Sequence, residues 1–298
     1  MQPLLDAIAR ATPGHDACRI FHGRGGLYPG CEHRSLDWYA PVWVLTSFQL
    51  LIDAELDSVH AALAERPEPL NWVYQQRQSG PGRSDTRLMA GSVPNPHVVN
   101  EQGARYRVHV LKGQNHGLFL DMACGRQWLR EKAHSKRVLN LFAYTCAFSV
   151  AALQGGAIEV VNVDMASGAL AIGQHNHQLN GLNGGRFLAH DLFKSWGKVK
   201  RMGPYDIVVA DPPSYQKGSF VAAKDYARVV RRLPELLAPG GQALLCLNAP
   251  EIPSQFLRDL VATEAPPMRF VRRLDNPPEF ADVDSERSLK VLLFELTA

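Results

Sequence analysis

From about residue 137 onward, short apolar runs alternate with stretches of helical periodicity, the pattern of a parallel sheet built from strand–helix–strand units. Five strands are expected: RVLNLF (Arg137 to Phe142), EVVNVD (Glu159 to Asp164), RFLAH (Arg186 to His190), YDIVVA (Tyr205 to Ala210) and ALLCLN (Ala243 to Asn248). The helical stretches between them stop where the chain demands it. AFSVAALQ is closed by Gly155-Gly156, ASGALAIGQHNHQLN by Gly181, and VAAKDYARVVRRLPELL by Pro239-Gly240-Gly241. Pro234 inside the last stretch should kink or split it, because proline lacks the N–H that an inner helical turn uses. A final pair, MRFVRRL (Met268 to Leu274) and SLKVLLFEL (Ser288 to Leu296), has no helical pattern between its members and is expected to pair antiparallel at the sheet edge.

The first 105 or so residues differ. Turns rich in Gly and Pro (HGRGGLYPG, QSGPGRSD, SVPNPH) surround short strands and one amphipathic helix from about Phe48 to Glu65, with Ile52, Leu56, Val59 and Leu63 on one face. This predicts a small β-rich α+β domain at 1–105, followed by an α/β domain at 106–298. The HGRGG loop (His22 to Gly26) resembles a phosphate loop only superficially, since neither GK[ST] nor a helix follows; a turn is the better reading.

A composition of 46% hydrophobic and 20% charged residues is that of an ordinary globular protein. The longest apolar runs, such as Trp43 to Ile52, fall short of the roughly 20 residues that a membrane span needs. The N-terminus lacks the order of a signal peptide, so a cytoplasmic protein is expected. Five scattered cysteines without a CxxC pair argue against a disulfide framework and against a metal site. A net charge of +3 is permissive for nucleic-acid binding without demanding it, and the runs KVKR, RVVRR and Arg272-Arg273 read singly as solvated faces.

In an open parallel sheet the ligand lies beyond the carboxyl ends of the strands. Three of those ends carry aspartates: Asp164 after the second strand, Asp191 after the third and Asp211 after the fourth. Each singly reads equally well as a helix N-cap; three in register point to a site. The first turn lacks GxGxxG and holds Phe142, Tyr144, Thr145 and Cys146, so no diphosphate is expected there. A nucleoside cofactor without phosphates fits, and S-adenosylmethionine is the common one. The general methyltransferase fold then suggests the ribose on Asp164, the adenine amino group near Asp191 and the methionine portion against the first turn. Asn140, Met165 and Leu192 complete the candidate cofactor set.

After the fourth strand stands DPPSY (Asp211 to Tyr215). Two prolines fix two φ angles and remove two donors, so the segment is stiff and extended. Asp211 and Pro212 would hold acceptors at the methyl donor, and Tyr215 would stack on an extruded base, with a core aromatic as the alternative for Tyr215.

The runs GLFLDMACGRQWL, VLNLFAYTCAFSVAALQGGA, VDMASGAL, NHQLNGL, DPPSY and LLAPGGQALL together resemble the bacterial 23S rRNA large-subunit methyltransferases, of the I type and of the K half of the K/L type, over roughly residues 20 to 298. The resemblance implies an α/β, Rossmann-like class I S-adenosylmethionine-dependent methyltransferase behind a small β-rich domain, with ribosomal RNA or a ribosomal precursor as partner. Two departures stand out: there is no room for a PUA domain or a THUMP-bearing half, and Cys146 stands where a glycine is frequent. In the I type a cysteine nucleophile ends the fifth strand, whereas the same count from Gly240-Gly241 lands on Asn248 here, as it does in the K half. The resemblance therefore implies transfer to a purine nitrogen, guanine N7 first, over cytosine C5 or a non-RNA substrate.

Overall fold

The computed structural model describes residues 1–77, 84–216 and 220–297. Most of the expected QSGPGRSD turn, residues 78–83, lies outside the described residues. The chain forms two compact units, Met1–Asp121 with Pro277–Asp284, and Met122–Asn276 with Ser285–Ala298.

In the first unit α1 (Gln2–Arg10) precedes β1 (Cys18–His22), β2 (Arg34–Tyr39), β3 (Val42–Ser47), α2 (Asp53–Ala64), β4 (Trp72–Arg77) and β5 (Ser84–Ala90). The five strands form one sheet in chain order, antiparallel except for β3 and β4, which run parallel because α2 crosses between them. Leu4 and Ile8 of α1 and Leu56, Val59 and Leu63 of α2 join Trp38, Trp43 and Trp72 in its core. Helix α2 begins later than its pattern implied, and Ile52 is 63% exposed rather than on the buried face. The carboxylate of Glu55 accepts the Ile52 N–H at 3.1 Å, which ends the helix at that point. A hairpin of β6 (His97–Glu101) and β7 (Ala104–Val108) completes the unit. The HGRGG loop is a tight turn: a Cβ at Gly23 would overlap the carbonyl of Cys31, and one at Gly25 that of Ala281.

The second unit holds α3 (Ala123–Lys132), β8 (Arg137–Leu141), α4 (Ala147–Gln154), β9 (Glu159–Asp164), α5 (Ser167–Leu179), β10 (Gly185–Ala189), α6 (Trp196–Met202), β11 (Tyr205–Ala210), β12 (Tyr215–Gln216), β13 (Phe220–Val221), α7 (Ala222–Val230), α8 (Leu233–Leu236), β14 (Leu237–Leu247), α9 (Ser254–Glu264), β15 (Met268–Leu274) and β16 (Lys290–Leu296). Seven of these strands form one sheet in the order β10-β9-β8-β11-β14-β16-β15. The first five run parallel, and the order reverses between β8 and β11, where such sheets bind ligands.

Pro234 does split the expected helix, sitting in the first turn of α8. Pro239-Gly240-Gly241 does not cap that helix; it lies in a bulge at the start of β14, between the pairs Tyr205–Leu237 and Ile207–Gln242. The last two strands pair antiparallel, yet β16 inserts beside β14 and only β15 is at the edge. Their side chains explain the order. Val291 to Phe294 are buried on both faces, whereas β15 exposes Arg269 and Arg272, charges that suit an edge. No helix among the described residues is long and apolar enough to cross a membrane.

Candidate cofactor and substrate site

The ladders bring the strand ends level. Leu141 pairs with Val163 on one side and Ala210 on the other, and Ala189 pairs with Asp164, so Phe142, Asp164 and Asp211 start from one line with Asp191 two residues beyond.

The turn after β8 is unusual for lacking glycine. Phe142 (φ 58°), Tyr144 (φ 48°) and Cys146 (φ 61°) all adopt left-handed backbone, which costs each L residue about 1–2 kcal/mol. One bond within the turn and two to neighbouring elements hold it. The N–H of Ala143 reaches the carbonyl of Val163 at 3.1 Å, that of Cys146 the carbonyl of Ala143 at 2.7 Å, and Asn176 Nδ2 donates to the carbonyl of Thr145 at 3.0 Å. The left-handed φ of Cys146 supplies the physical reason for glycine being frequent there in the family that the sequence resembles.

Asp164 orders this turn. Its Oδ2 accepts the Tyr144 N–H and its Oδ1 the Ala166 N–H, both at 2.8 Å, and each oxygen retains a second lone pair for an incoming hydroxyl. Asp191 is an N-cap as well as a strand-end carboxylate: it accepts the Phe193 N–H at 2.9 Å and pairs with Lys194 at 3.5 Å. Asp211 directly follows β11, with buried Pro212 behind it. Tyr215 is 66% exposed, which overturns the core-aromatic alternative; it pairs with Val221 in the short β12–β13 ladder.

Other candidates lie elsewhere. The Asn140 amide is buried and donates to Asn162 Oδ1 at 2.9 Å, one layer beneath the turn. Leu192 and Thr145 are buried, and Met165 is 55% exposed. Cys146 and Cys246 are both fully buried, and burial, then the charge of Asp164, pushes the Cys146 thiol up. Asn248, by contrast, is exposed just past β14.

This donor set suits a nucleoside with a short amino-acid tail: carboxylates for a diol and an amine, and no glycine nest for phosphate. The family model of S-adenosylmethionine-dependent methyltransferases matches residues 18–295. The chain belongs to that family. Among its relatives, the ribosomal RNA large subunit methyltransferase I of Aeromonas salmonicida is 35% identical over 60% of this chain and 47% of its own length. The ribosomal RNA large subunit methyltransferase K/L of Psychrobacter is 34% identical over 56% of this chain and 22% of its own. The chain thus aligns with about half or less of these relatives. A solved methyltransferase complexed with SAH superposes with a TM-score of 0.84 at 25% identity, covering 99% of this chain and 79% of that one. S-adenosylmethionine is accordingly the cofactor.

Three features of the methyltransferase escaped the sequence reading. Tyr226 on α7 is fully buried; its hydroxyl donates to the carbonyl of Cys246 at 2.9 Å and lies 3.3 Å from that of Ala210, tying together the ends of β14 and β11. Burial, then Cys246 and Asp211, holds its pKa well above the usual phenol range, so it stays a neutral donor. Beneath the first turn, Asn162 Nδ2 donates to Ser149 Oγ (3.0 Å), which meets His177 Nε2 (2.8 Å), while His177 Nδ1 meets the carbonyl of Gly173 (2.7 Å). Buried Phe220 packs on Phe142 (5.2 Å between ring centroids) and stacks on Phe193 (6.3 Å), anchoring the hairpin that carries Tyr215. The polar Asn inside EVVNVD was the one local hint of this layer.

Proposed function

We propose that the chain transfers a methyl group from S-adenosylmethionine to a base of ribosomal RNA, at a purine nitrogen with guanine N7 first. Bound S-adenosylmethionine supplies an electrophilic methyl group. Asp164 holds the ribose hydroxyls, Asp191 the adenine amino group, and the turn from Phe142 to Cys146 the methionine portion. Asp211 and Pro212 position the acceptor base, and Tyr215 stacks on it; holding the target atom in line with the methyl group accounts for most of the acceleration in such a displacement. The names of the relatives support ribosomal RNA as substrate.

The observation that carries the choice of atom is the end of β14. A pyrimidine C5 needs a thiolate added to C6, and the thiol must reach the site. Cys246 is buried with its Cα paired to Val291, and the exposed residue at the strand end is Asn248, which is no nucleophile. A purine nitrogen presents its own lone pair.

Labelled S-adenosylmethionine tests this with ribosomal RNA, ribosomes, protein and small-molecule pools as acceptors. N-methylated purine in hydrolysed RNA is expected, and the Cys246→Ala, Cys146→Ala double variant should retain substantial transfer. Transfer to 5-methylcytosine that is abolished in a folded, cofactor-binding Cys246→Ala protein would overturn the purine reading. Label confined to protein or small molecules would overturn the RNA substrate.

A further inference from the structure

We propose that Arg24, Phe48 and Arg77 form a phosphate-binding site for RNA on the first unit; the proposal rests on the ribosomal RNA reading above. The sheet brings the three together. The pairs His22–Ser35, Arg34–Ser47 and Ser47–Gln76 set the carboxyl ends of β1, β3 and β4 side by side. Arg24 follows β1, Phe48 follows β3 and Arg77 ends β4. The Arg24 guanidinium carbon lies 4.2 Å from the Phe48 ring centroid and that of Arg77 lies 5.7 Å from it.

Among the described residues neither arginine is in direct contact with a carboxylate. Several members of the basic runs of the second unit are paired directly: Lys200 and Arg232 on Glu235, Arg228 on Asp225, Arg231 on Glu264, and Arg273 on Glu286. Arg77 is fixed instead by neutral acceptors, its Nε on Gln75 Oε1 at 2.9 Å and a terminal nitrogen on the carbonyl of Gln114. Desolvation lowers the pKa of both, a neighbouring arginine lowers each further, Arg19 for Arg24 and Arg24 for Arg77, and the more distant carboxylates of Asp121 and Asp37 offset this only in part. Like charges held together without a directly paired carboxylate favour an anion. The guanidinium fork matches phosphate oxygens bidentately; the Phe48 face orders that of Arg24 without spending its N–H groups, and Arg77 keeps the N–H groups of its other terminal nitrogen. A positively charged surface beside aromatic side chains is a recurring means of tracking the backbone of a single RNA strand.

The test measures binding of a short single-stranded RNA to the full chain by fluorescence anisotropy over a range of salt concentrations, with cofactor affinity by calorimetry in parallel. Arg24→Gln and Arg77→Gln should each weaken binding and reduce the slope of log K against log salt by about 0.7, the value for one released counterion on a single strand. Arg24→Lys should keep the slope, and cofactor affinity should not change in any variant. Arg24 is exposed, so Arg24→Gln alone decides the matter if Arg77→Gln fails to fold. RNA binding by wild type with an unchanged slope in folded Arg24→Gln would overturn this site and leave the ribosomal RNA reading standing. A wild-type chain that binds the cofactor but no RNA would overturn both.

Discussion

Cys146 and Gly173 are packed so closely that a β-carbon added at Gly173 would stand 2.9 Å from Cβ of Cys146, and nearer still to its sulfur. Helix α5 thus lies against the first turn only because position 173 is glycine. Gly173→Ala should cost about 1–3 kcal/mol, the usual penalty for overpacking. Cys146→Gly should fall within about 1 kcal/mol of wild type, since relief of the left-handed backbone offsets the lost sulfur contacts. In the double variant the Gly173→Ala cost should fall below about 1 kcal/mol. Strict additivity in denaturant unfolding would disprove the contact.

Asp164 orders the turn and, in the function proposed above, offers its remaining lone pairs to the ribose. Asp164→Ala should weaken S-adenosylmethionine binding at least about tenfold, or 1.4 kcal/mol. It should also lower stability by about 1–3 kcal/mol, because the Tyr144 and Ala166 N–H groups lose their acceptor. Asp164→Asn, which keeps an acceptor, should lie between. Calorimetry together with thermal unfolding separates the two effects; unchanged affinity in a folded Asp164→Ala protein would remove the ribose role.

Two tyrosines should behave oppositely. Tyr215 is mostly exposed, so Tyr215→Ala should leave stability within about 0.5 kcal/mol and cofactor affinity intact while cutting methyl transfer to RNA. Tyr226→Phe removes the hydroxyl from a fully buried site and should cost about 1–3 kcal/mol in unfolding, since carbonyls at the ends of two strands lose their donor. Loss of fold in Tyr215→Ala would return DPPSY to the role of a strand terminator.

The first unit should lose stability in mild acid. Burial, then Arg19 and Arg24, lowers His22 to about 4, and burial, then Arg77, lowers His116 to about 3, from an ordinary 6.5. The unfolded chain therefore takes up these protons first. The stability from neutral histidines is complete above about pH 6.5 and declines as the pH falls toward the folded values, by up to about 1.4 kcal/mol per pH unit for each. Denaturant unfolding between pH 7 and 5 should show this decline, and it should be shallower in His116→Gln.

Much of the second unit could be read locally. Runs such as YDIVVA are apolar on both faces because both faces of a parallel sheet are covered, and the helix ends at Gly155 and just before Gly181, like the break that leaves Pro234 in the first turn of α8, follow from backbone chemistry within one turn. The strand-end aspartates were legible for the same reason: once the strands are known, chain order puts those residues at the sheet's carboxyl edge.

What the chain order alone determined, then, is which residues arrive at the site; what they do on arrival was decided by contacts far apart in sequence. Asn140 turns to Asn162, 22 residues on, and Tyr226 reaches back 16 residues to Ala210. The turn that carries Cys146 is held by Asn176 and Gly173 of α5, β16 slips inside β15, and Arg24 and Arg77 meet at Phe48 from three separate strands. Periodicity records only which face of an element is apolar. Register, hydrogen-bond partner and left-handed backbone at a non-glycine residue are products of strand pairing and packing, so they exist only when the whole sheet is assembled.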